Sequence, residues 1–226
     1  MTEVSDFRSG RATGWADHIE LLREVARFNL CLATPQVAAG WAIRLGMVSS
    51  GQPWPVHFWS SLPALADISA AMLSTLQHQP CFESRSPAWP LALLPDEELP
   101  GFGRLVSAAL MHRVVRQTLS RQDVLHWRDW LKPTAWRFAM EGAALLPGLP
   151  PTPDVDVATV GADAYGQAWL WQASGHWDPA IAERWRLRHE LPVAATVRHI
   201  PPEVAHRTAM TVLSAVQPRW FSRFAR

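Results

Sequence analysis

Nineteen prolines constrain this chain more than any other feature of its sequence, because proline fixes one backbone angle and has no amide proton. Proline is therefore favoured in the first turn of a helix and disfavoured in helix interiors and central strands. Pro35, Pro133 and Pro179 each predict a helix start, and Thr34 and Asp178 precede two of them as candidate caps. Between the prolines, apolar residues recur at helical spacing. The pattern predicts an all-α fold, an irregular single-domain assembly of about eight to ten helices with proline-rich connectors.

Residues 80–103 contain five prolines and form the best candidate for a domain boundary. A chain of 226 residues is expected to form a single helical domain, 1–226. The proline group also allows a subdivision into N-terminal helices (1–79), a proline-rich connector (80–103) and C-terminal helices (104–226). Several large apolar side chains in the connector predict that it packs across the surface.

Other residues set the expected limits of individual helices. Asp17 is a candidate N-cap of the first helix, and Gly46 is expected to close the second. The next helix should end by Gln79, because the residue before a proline is pushed away from helical angles. The last helix is expected to run from about Pro202 to Gln217, and only residues 192–200 are compatible with an extended segment.

The charge of the chain is nearly balanced overall but uneven along its length. A net charge of +1 provides no global field that would recruit nucleic acid. From residue 184 onward, however, the sequence contains only two glutamates and eight arginines, at positions 184, 186, 188, 198, 207, 219, 223 and 226. This basic region is typical of a solvated face, and it leaves open an alternative function as a nucleic-acid-binding regulatory protein.

Side chains that could carry chemistry are scattered. None of the nine histidines forms an H-E-x-x-H motif, and the sequence Gly101–Arg104 lacks the third glycine of a dinucleotide-binding loop. The acidic run 96–98 is expected to stay ionised on an exposed loop. His199, Glu203 and His206 could hold a metal, although histidines in such a setting are more often satisfied core or surface residues. We therefore expect no enzymatic activity, no metal and no cofactor.

The cellular location is expected to be cytoplasmic. Cys31 and Cys81 are too few for a disulfide framework and are expected to be buried free thiols. The longest uncharged run, Leu45–Ala66, contains three prolines, which makes a membrane-spanning helix implausible. The first residues lack the apolar stretch of a secretory signal. Contact with a membrane would then go through a partner, without direct insertion.

The end of the sequence combines arginines with large aromatic side chains. An amphipathic helix runs into Pro218, and no acidic residue follows it. Exposed aromatic residues beside arginine are typical of protein-binding hot spots. The alternative is that the aromatic side chains fold back and cover the core. The candidate partner-binding residues are Arg219, Trp220, Phe221, Arg223, Phe224 and Arg226.

Three segments resemble the SctK/YscK-like proteins, the K component of the type III secretion sorting platform. Residues 207–226 resemble that family's C-terminal amphipathic helix, proline-marked break and aromatic-basic cluster. Residues 165–192 are similar to its small-aromatic helix and to the Arg-Leu and Leu-Pro pairs that close it, here Arg186, Leu187, Leu191 and Pro192. Residues 27–41 are similar to an N-terminal stretch of that family in which Phe, Leu and Pro follow in this order, here Phe28, Leu30 and Pro35.

The resemblance implies an all-helical cytoplasmic adaptor without catalytic residues. A protein of this family joins the cytoplasmic domain of the inner-membrane ring D component to the pods formed by the Q component. The implied partners are these two proteins, and neither nucleic acid nor a cofactor is expected. The implied location is peripheral to the inner membrane, through the partner proteins.

Overall fold

The computed structural model describes residues 6–46, 61–83, 85–152, 159–189 and 200–224, and within them it confirms the predicted all-α fold. These residues form ten α-helices and no strand. A π-helical turn, Phe138–Gly142, and two 3-10 turns, Ala143–Leu145 and Ser174–His176, accompany them. The α-helices are α1 (Asp6–Leu30), α2 (Pro35–Arg44), α3 (Leu62–Ser74), α4 (Trp89–Ala92), α5 (Leu99–Gln117), α6 (Arg121–Arg137), α7 (Ala162–Ala173), α8 (Pro179–Arg188), α9 (Pro202–Val216) and α10 (Pro218–Ser222).

Prolines stand at the starts of several helices, including the predicted starts at Pro35, Pro179 and Pro202. Proline is the first residue of α2, α8, α9 and α10. At the start of α8, the Asp178 carboxylate accepts a hydrogen bond from the Ala180 amide at 2.8 Å. Gly46, with a φ of 70°, follows the end of α2 in the left-handed conformation that glycine adopts readily. The expected cap at Asp17 is wrong, because α1 begins at Asp6 and Asp17 lies inside it.

A sharp break at Lys132 divides α6. Its φ of 64° and ψ of 162° lie in a region that is essentially reserved for glycine. The following residue, Pro133, restricts Lys132 to extended ψ values and lacks the amide proton that a continuous helix requires. The predicted helix start at Pro133 is therefore confirmed.

The chain forms two compact units, each assembled from separate stretches. Unit 1 comprises Met1–Trp89, Asp178–Glu190 and Arg223–Arg226, and unit 2 comprises Pro90–Trp177 and Leu191–Ser222. The division after Trp89 lies within the predicted connector 80–103. The subdivision into 1–79, 80–103 and 104–226 stays a prediction, and the grouping of α8 with the N-terminal helices has no counterpart in it.

Unit 1 has an apolar core, and hydrogen bonds attach further segments of the chain to it. Phe28 of α1 meets Trp89 edge to face, with ring centroids 5.4 Å apart. The buried Asn29 side chain bonds both backbone groups of Cys81, its Nδ2 donating to the carbonyl at 2.6 Å and its Oδ1 accepting from the amide at 3.1 Å. Trp41 Nε1 of α2 donates to the Leu187 carbonyl of α8 at 3.2 Å. These bonds fix the segment after α3, and α8 itself, onto the apolar core.

Unit 2 is built around the packing of α5 on α7. Gly103 and Gly166 face each other where these helices cross, and a Cβ added to Gly166 would overlap the Gly103 carbonyl. Beside the crossing, Ser107 Oγ donates to the Ala162 carbonyl at 2.6 Å. Trp169 of α7 is buried in the same unit. Two glycines thus allow the backbones to approach closely, and neither tolerates a larger residue without displacement.

The expectation that both thiols are buried is wrong. Cys31 is exposed and Cys81 is half-buried, and both are free. Cys31 directly follows α1, and Asn29 contacts only the backbone of Cys81.

None of the helices in the described part of the chain is both long and apolar enough to cross a bilayer. Most of the uncharged run Leu45–Ala66, residues 47–60, lies outside the described residues. The segment 192–200, which the sequence allowed as extended, also lies outside them except for residue 200.

Candidate functional site

The C-terminal segment, defined here as residues 218–224, follows directly from α9. One face of α9 is buried through Ala205, Ala209 and Val212, as the helical spacing predicts. The helix ends at Val216, one residue before the predicted limit. Gln217 turns the chain with a φ of −132° and a ψ of 60°. The short helix α10 then carries the first three candidate residues.

Unit 2 holds Trp220 in place through its indole. Trp220 is half-buried, and its Nε1 donates to the Pro90 carbonyl at 2.8 Å. Phe221 is half-buried beside it in sequence, whereas Arg219 is exposed. Trp220 therefore contributes to the fold of unit 2, and Arg219 is the candidate residue of α10 that is open to solvent.

Unit 1 holds the next candidate, Arg223. Its Nη2 donates to Oε1 of Glu24 at 3.0 Å, and both side chains are less than a third exposed. Phe224 is half-buried, and Arg226 lies outside the described residues. The predicted set therefore divides between two units. Trp220 and Arg223, which are hydrogen-bonded within these units, fit the alternative in which the segment folds back and covers the core.

A groove in unit 2 is lined by Gln217, the residue that precedes the C-terminal segment. The groove has a volume of about 480 Å³, and its apolar lining includes Phe102 of α5 and Leu131 of α6. Glu98 contributes an acidic group to its rim, and Gln217 Nε2 donates to Glu98 Oε2 at 2.7 Å. Arg104 adds a basic group. An apolar floor with charges of both signs suits a polypeptide segment that carries both charge types.

Lys132, the only lysine of the sequence, adds a second cation to this groove. Its Nζ lies 2.9 Å from Oδ1 of Asp129, and this exposed pair lowers the pKa of Asp129 through the hydrogen bond and the charge of Lys132. Its backbone conformation costs about 1–3 kcal/mol for a residue other than glycine, and such strain is concentrated at functional sites. The break therefore places a cation on the groove wall at an energetic cost.

Near its N-terminus, α9 carries a buried histidine, His206, whose imidazole has a hydrogen-bond partner. Trp177 Nε1 donates to Nδ1 of His206 at 3.0 Å, so the imidazole is neutral with its proton on Nε2. Burial, and to a lesser extent the neighbouring His176, lowers the pKa of His206 to about 4. The ring centroids of His176 and His206 are 5.3 Å apart. His206 is thus a satisfied core residue, whereas His199 lies outside the described residues.

Sequence reasoning missed the groove. Glu98 and Gln217 are far apart in the sequence, and only the fold brings them together. The one usable signal was the Lys132–Pro133 pair, which predicted a helix break but not a cavity. Within the described residues, no group of three or more His, Cys, Asp or Glu side chains is arranged to hold a metal ion.

Compared with models of protein families, with curated proteins and with solved structures, the chain matches none.

Proposed function

We propose that the protein is a helical adaptor that binds other proteins without catalysis. The observation that supports this most is the groove of unit 2, which combines an apolar floor with charges of both signs. The exposed Arg219 follows two residues after Gln217, which lines the groove. A docked polypeptide would place apolar side chains over Phe102 and pair its charges with Glu97 and Arg104. Arg219 would add a contact at the edge of the groove.

The resemblance of three segments to the SctK/YscK-like proteins supplies the finer proposal. In it, the protein links the cytoplasmic domain of the ring D component to the Q-component pods of a type III secretion sorting platform. It would then act in the cytoplasm, held at the inner membrane by its partners. Of the candidate contacts in the C-terminal segment, Arg219 is the exposed one, whereas Trp220 and Arg223 are bonded within the fold.

The nucleic-acid alternative receives less support from the same structure. Arg184, one of the arginines of the basic region, is buried and donates to the Ala180 and His78 carbonyls at 3.0 and 3.2 Å. Arg223 is paired with Glu24. Both cations are therefore committed to the fold instead of to a phosphate backbone.

Charge reversal at the groove tests the adaptor proposal. Purified Q component and ring D cytoplasmic domain from the same organism serve as probes in titration calorimetry. We expect Arg219→Glu and Glu97→Lys each to weaken binding by about tenfold, because each places a like charge at the contact. The matched controls, Arg207→Glu and Glu203→Lys, change exposed residues of α9 and should bind as the parent protein does.

Two results would count against the proposal in different ways. If the parent protein binds neither probe, the assignment to the secretion platform is wrong. If it binds and all four variants bind equally well, the adaptor function stands but the groove and Arg219 are not the contact.

A further inference from the structure

Four arginines on either side of the turn between α5 and α6 have no ion-pair partner among the described residues. Arg113 and Arg116 lie in the last turns of α5, and Arg121 and Arg128 lie on α6. All four are exposed, and within the described part of the chain none takes part in an ion pair or a side-chain hydrogen bond. We call these residues, together with Leu119 and Leu125, the arginine corner.

The arginine corner also exposes large apolar side chains. Leu119, in the three-residue turn, is 95% exposed, and Leu125 of α6 is 54% exposed. Val114, between the two arginines of α5, is 38% exposed. A fully exposed leucine at a turn loses the stabilisation that burial would provide, so its place at the tip of a helical pair suggests an apolar environment outside the protein.

On α6, two of the arginines share a face with an exposed leucine. Arg121, Leu125 and Arg128 follow one another at intervals of four and three residues, so they form a single stripe along α6. Asp123 lies about 200° away from Arg121 around the helix, on the opposite side. Asp129, the next acid of α6, is paired with Lys132. The stripe thus combines positive charge with leucine and has no acid of its own.

We propose that the arginine corner binds directly to the surface of an anionic lipid bilayer. A guanidinium group can donate two parallel hydrogen bonds to phosphate oxygens, and Leu119, which is exposed in the turn, would reach the acyl boundary below the headgroups. A nucleic acid would satisfy the arginines but has no apolar layer to receive Leu119 and Leu125. The proposal is independent of the adaptor function. In that function only the partner proteins hold the chain at the membrane, whereas the arginine corner would add a direct contact with lipid.

Vesicle flotation tests the proposal with the full chain. The probes are vesicles of pure phosphatidylcholine and of an equimolar mixture with phosphatidylglycerol, each at low and at high salt. We expect the protein to partition at least about tenfold more strongly into the anionic vesicles, and the difference to shrink as salt screens the charges.

Substitution separates the charged from the apolar contribution. Each arginine near an anionic surface contributes about fivefold to partitioning, so Arg121→Gln/Arg128→Gln should lose about 25-fold. The control pair Arg137→Gln/Arg207→Gln removes two exposed arginines elsewhere in unit 2 and should retain partitioning.

Leucine substitutions complete the design. Leu119→Ser should lose about tenfold in partitioning, because its side chain no longer enters the apolar layer. Leu145→Ser should lose nothing, although Leu145 is 83% exposed, because it lies outside the arginine corner.

Three results would overturn the proposal: equal partitioning into neutral and anionic vesicles, no partitioning into either, or equal losses in the test and control variants. Tighter binding to a double-stranded DNA probe than to anionic vesicles, unaffected by Leu119→Ser, would assign the corner to nucleic acid instead. Arg113→Gln/Arg116→Gln gives a second, independent pair if Arg121→Gln/Arg128→Gln fails to fold by circular dichroism.

Discussion

The C-terminal segment and the arginine corner both combine arginines with large apolar side chains, but side chains of both kinds are bonded within the fold in the first region and exposed in the second. Trp220 and Arg223 of the C-terminal segment are bonded to Pro90 and Glu24. In the arginine corner, Leu119 is almost fully exposed, and Arg128 lacks an ion-pair partner in the described residues. Arginine beside large apolar side chains is thus not by itself a sign of a binding surface. What distinguishes the two regions is whether the polar atoms and the apolar area are already used by the fold.

Gly166→Ala should destabilise both regions, because the arginine corner and α10 belong to unit 2, which is built around the packing of α5 on α7. The added methyl group would collide with the backbone of Gly103, which cannot turn aside as a side chain can. We expect a loss of about 3 kcal/mol or more in the free energy of unfolding, measured by urea titration. Gly101→Ala on α5 is the control, because its added Cβ meets nothing within 4 Å and should raise stability slightly. Equal stability of the two variants would contradict the close crossing.

Acid should destabilise the C-terminal segment before the arginine corner, because the segment continues from α9 and His206 lies on that helix. Its pKa is lowered from 6.5 to about 4 in the folded protein, mainly by burial. The neutral ring therefore contributes its full stabilisation above pH 6.5, and this is lost as the pH falls towards 4, by about 3 kcal/mol in total. Hydrogen exchange should show α9 opening before α5 as the medium is acidified.

His206→Gln provides the control for this pH dependence. Its amide oxygen can accept the Trp177 Nε1 proton, and it does not titrate. The variant should show a flatter stability profile between pH 6.5 and 4. An unchanged profile would mean that other groups cause the acid sensitivity.

Truncation of one apolar side chain in each region should show the contrast directly. Trp220→Ala removes a half-buried ring and its hydrogen bond to Pro90, and we expect a loss of about 2 kcal/mol. Leu119→Ala should change the free energy of unfolding by less than about 0.5 kcal/mol, because the side chain is already in water. Similar losses in thermal or urea unfolding would mean that the two regions do not differ in this way.

Removal of one cation in each region is the smallest test. Arg223→Gln leaves Glu24 without its ion-pair partner in a site that is less than a third exposed, and we expect a loss of about 1 kcal/mol. Arg128→Gln should have no measurable effect on stability, because its guanidinium is exposed and pairs with no acid in the described part of the chain. A larger loss for Arg128→Gln than for Arg223→Gln would reverse the interpretation of both sites.

Much of the helical framework could be predicted from local chemistry. Proline at a helix start and Asp178 as a cap act over a few residues, so the sequence carries their signal directly. The start of α1 could not be placed in this way, because Asp17 is a residue type that favours the N-cap position but lies inside the helix. Capping preferences rank residue types and do not exclude them from helix interiors.

The candidate site could be predicted only in part, because its contacts are distant in sequence. The aromatic-basic composition of the C-terminal segment was visible, but the bond from Trp220 to Pro90 spans 130 residues. The groove likewise depends on Glu98 meeting Gln217. The arginine corner is defined by exposure and by the lack of ion pairs with any described residue, and neither property can be read from the amino acids at these positions alone.

The discontinuous make-up of unit 1 has a consequence for synthesis on the ribosome. Helices α1 to α3 emerge first, but α8, which supplies the carbonyl for Trp41, follows only after most of unit 2. At 5–20 residues per second, the early helices wait roughly ten seconds for that partner. During this delay the nascent N-terminal part must remain incompletely folded, so a pause in translation before residue 178 would prolong the period in which it can aggregate.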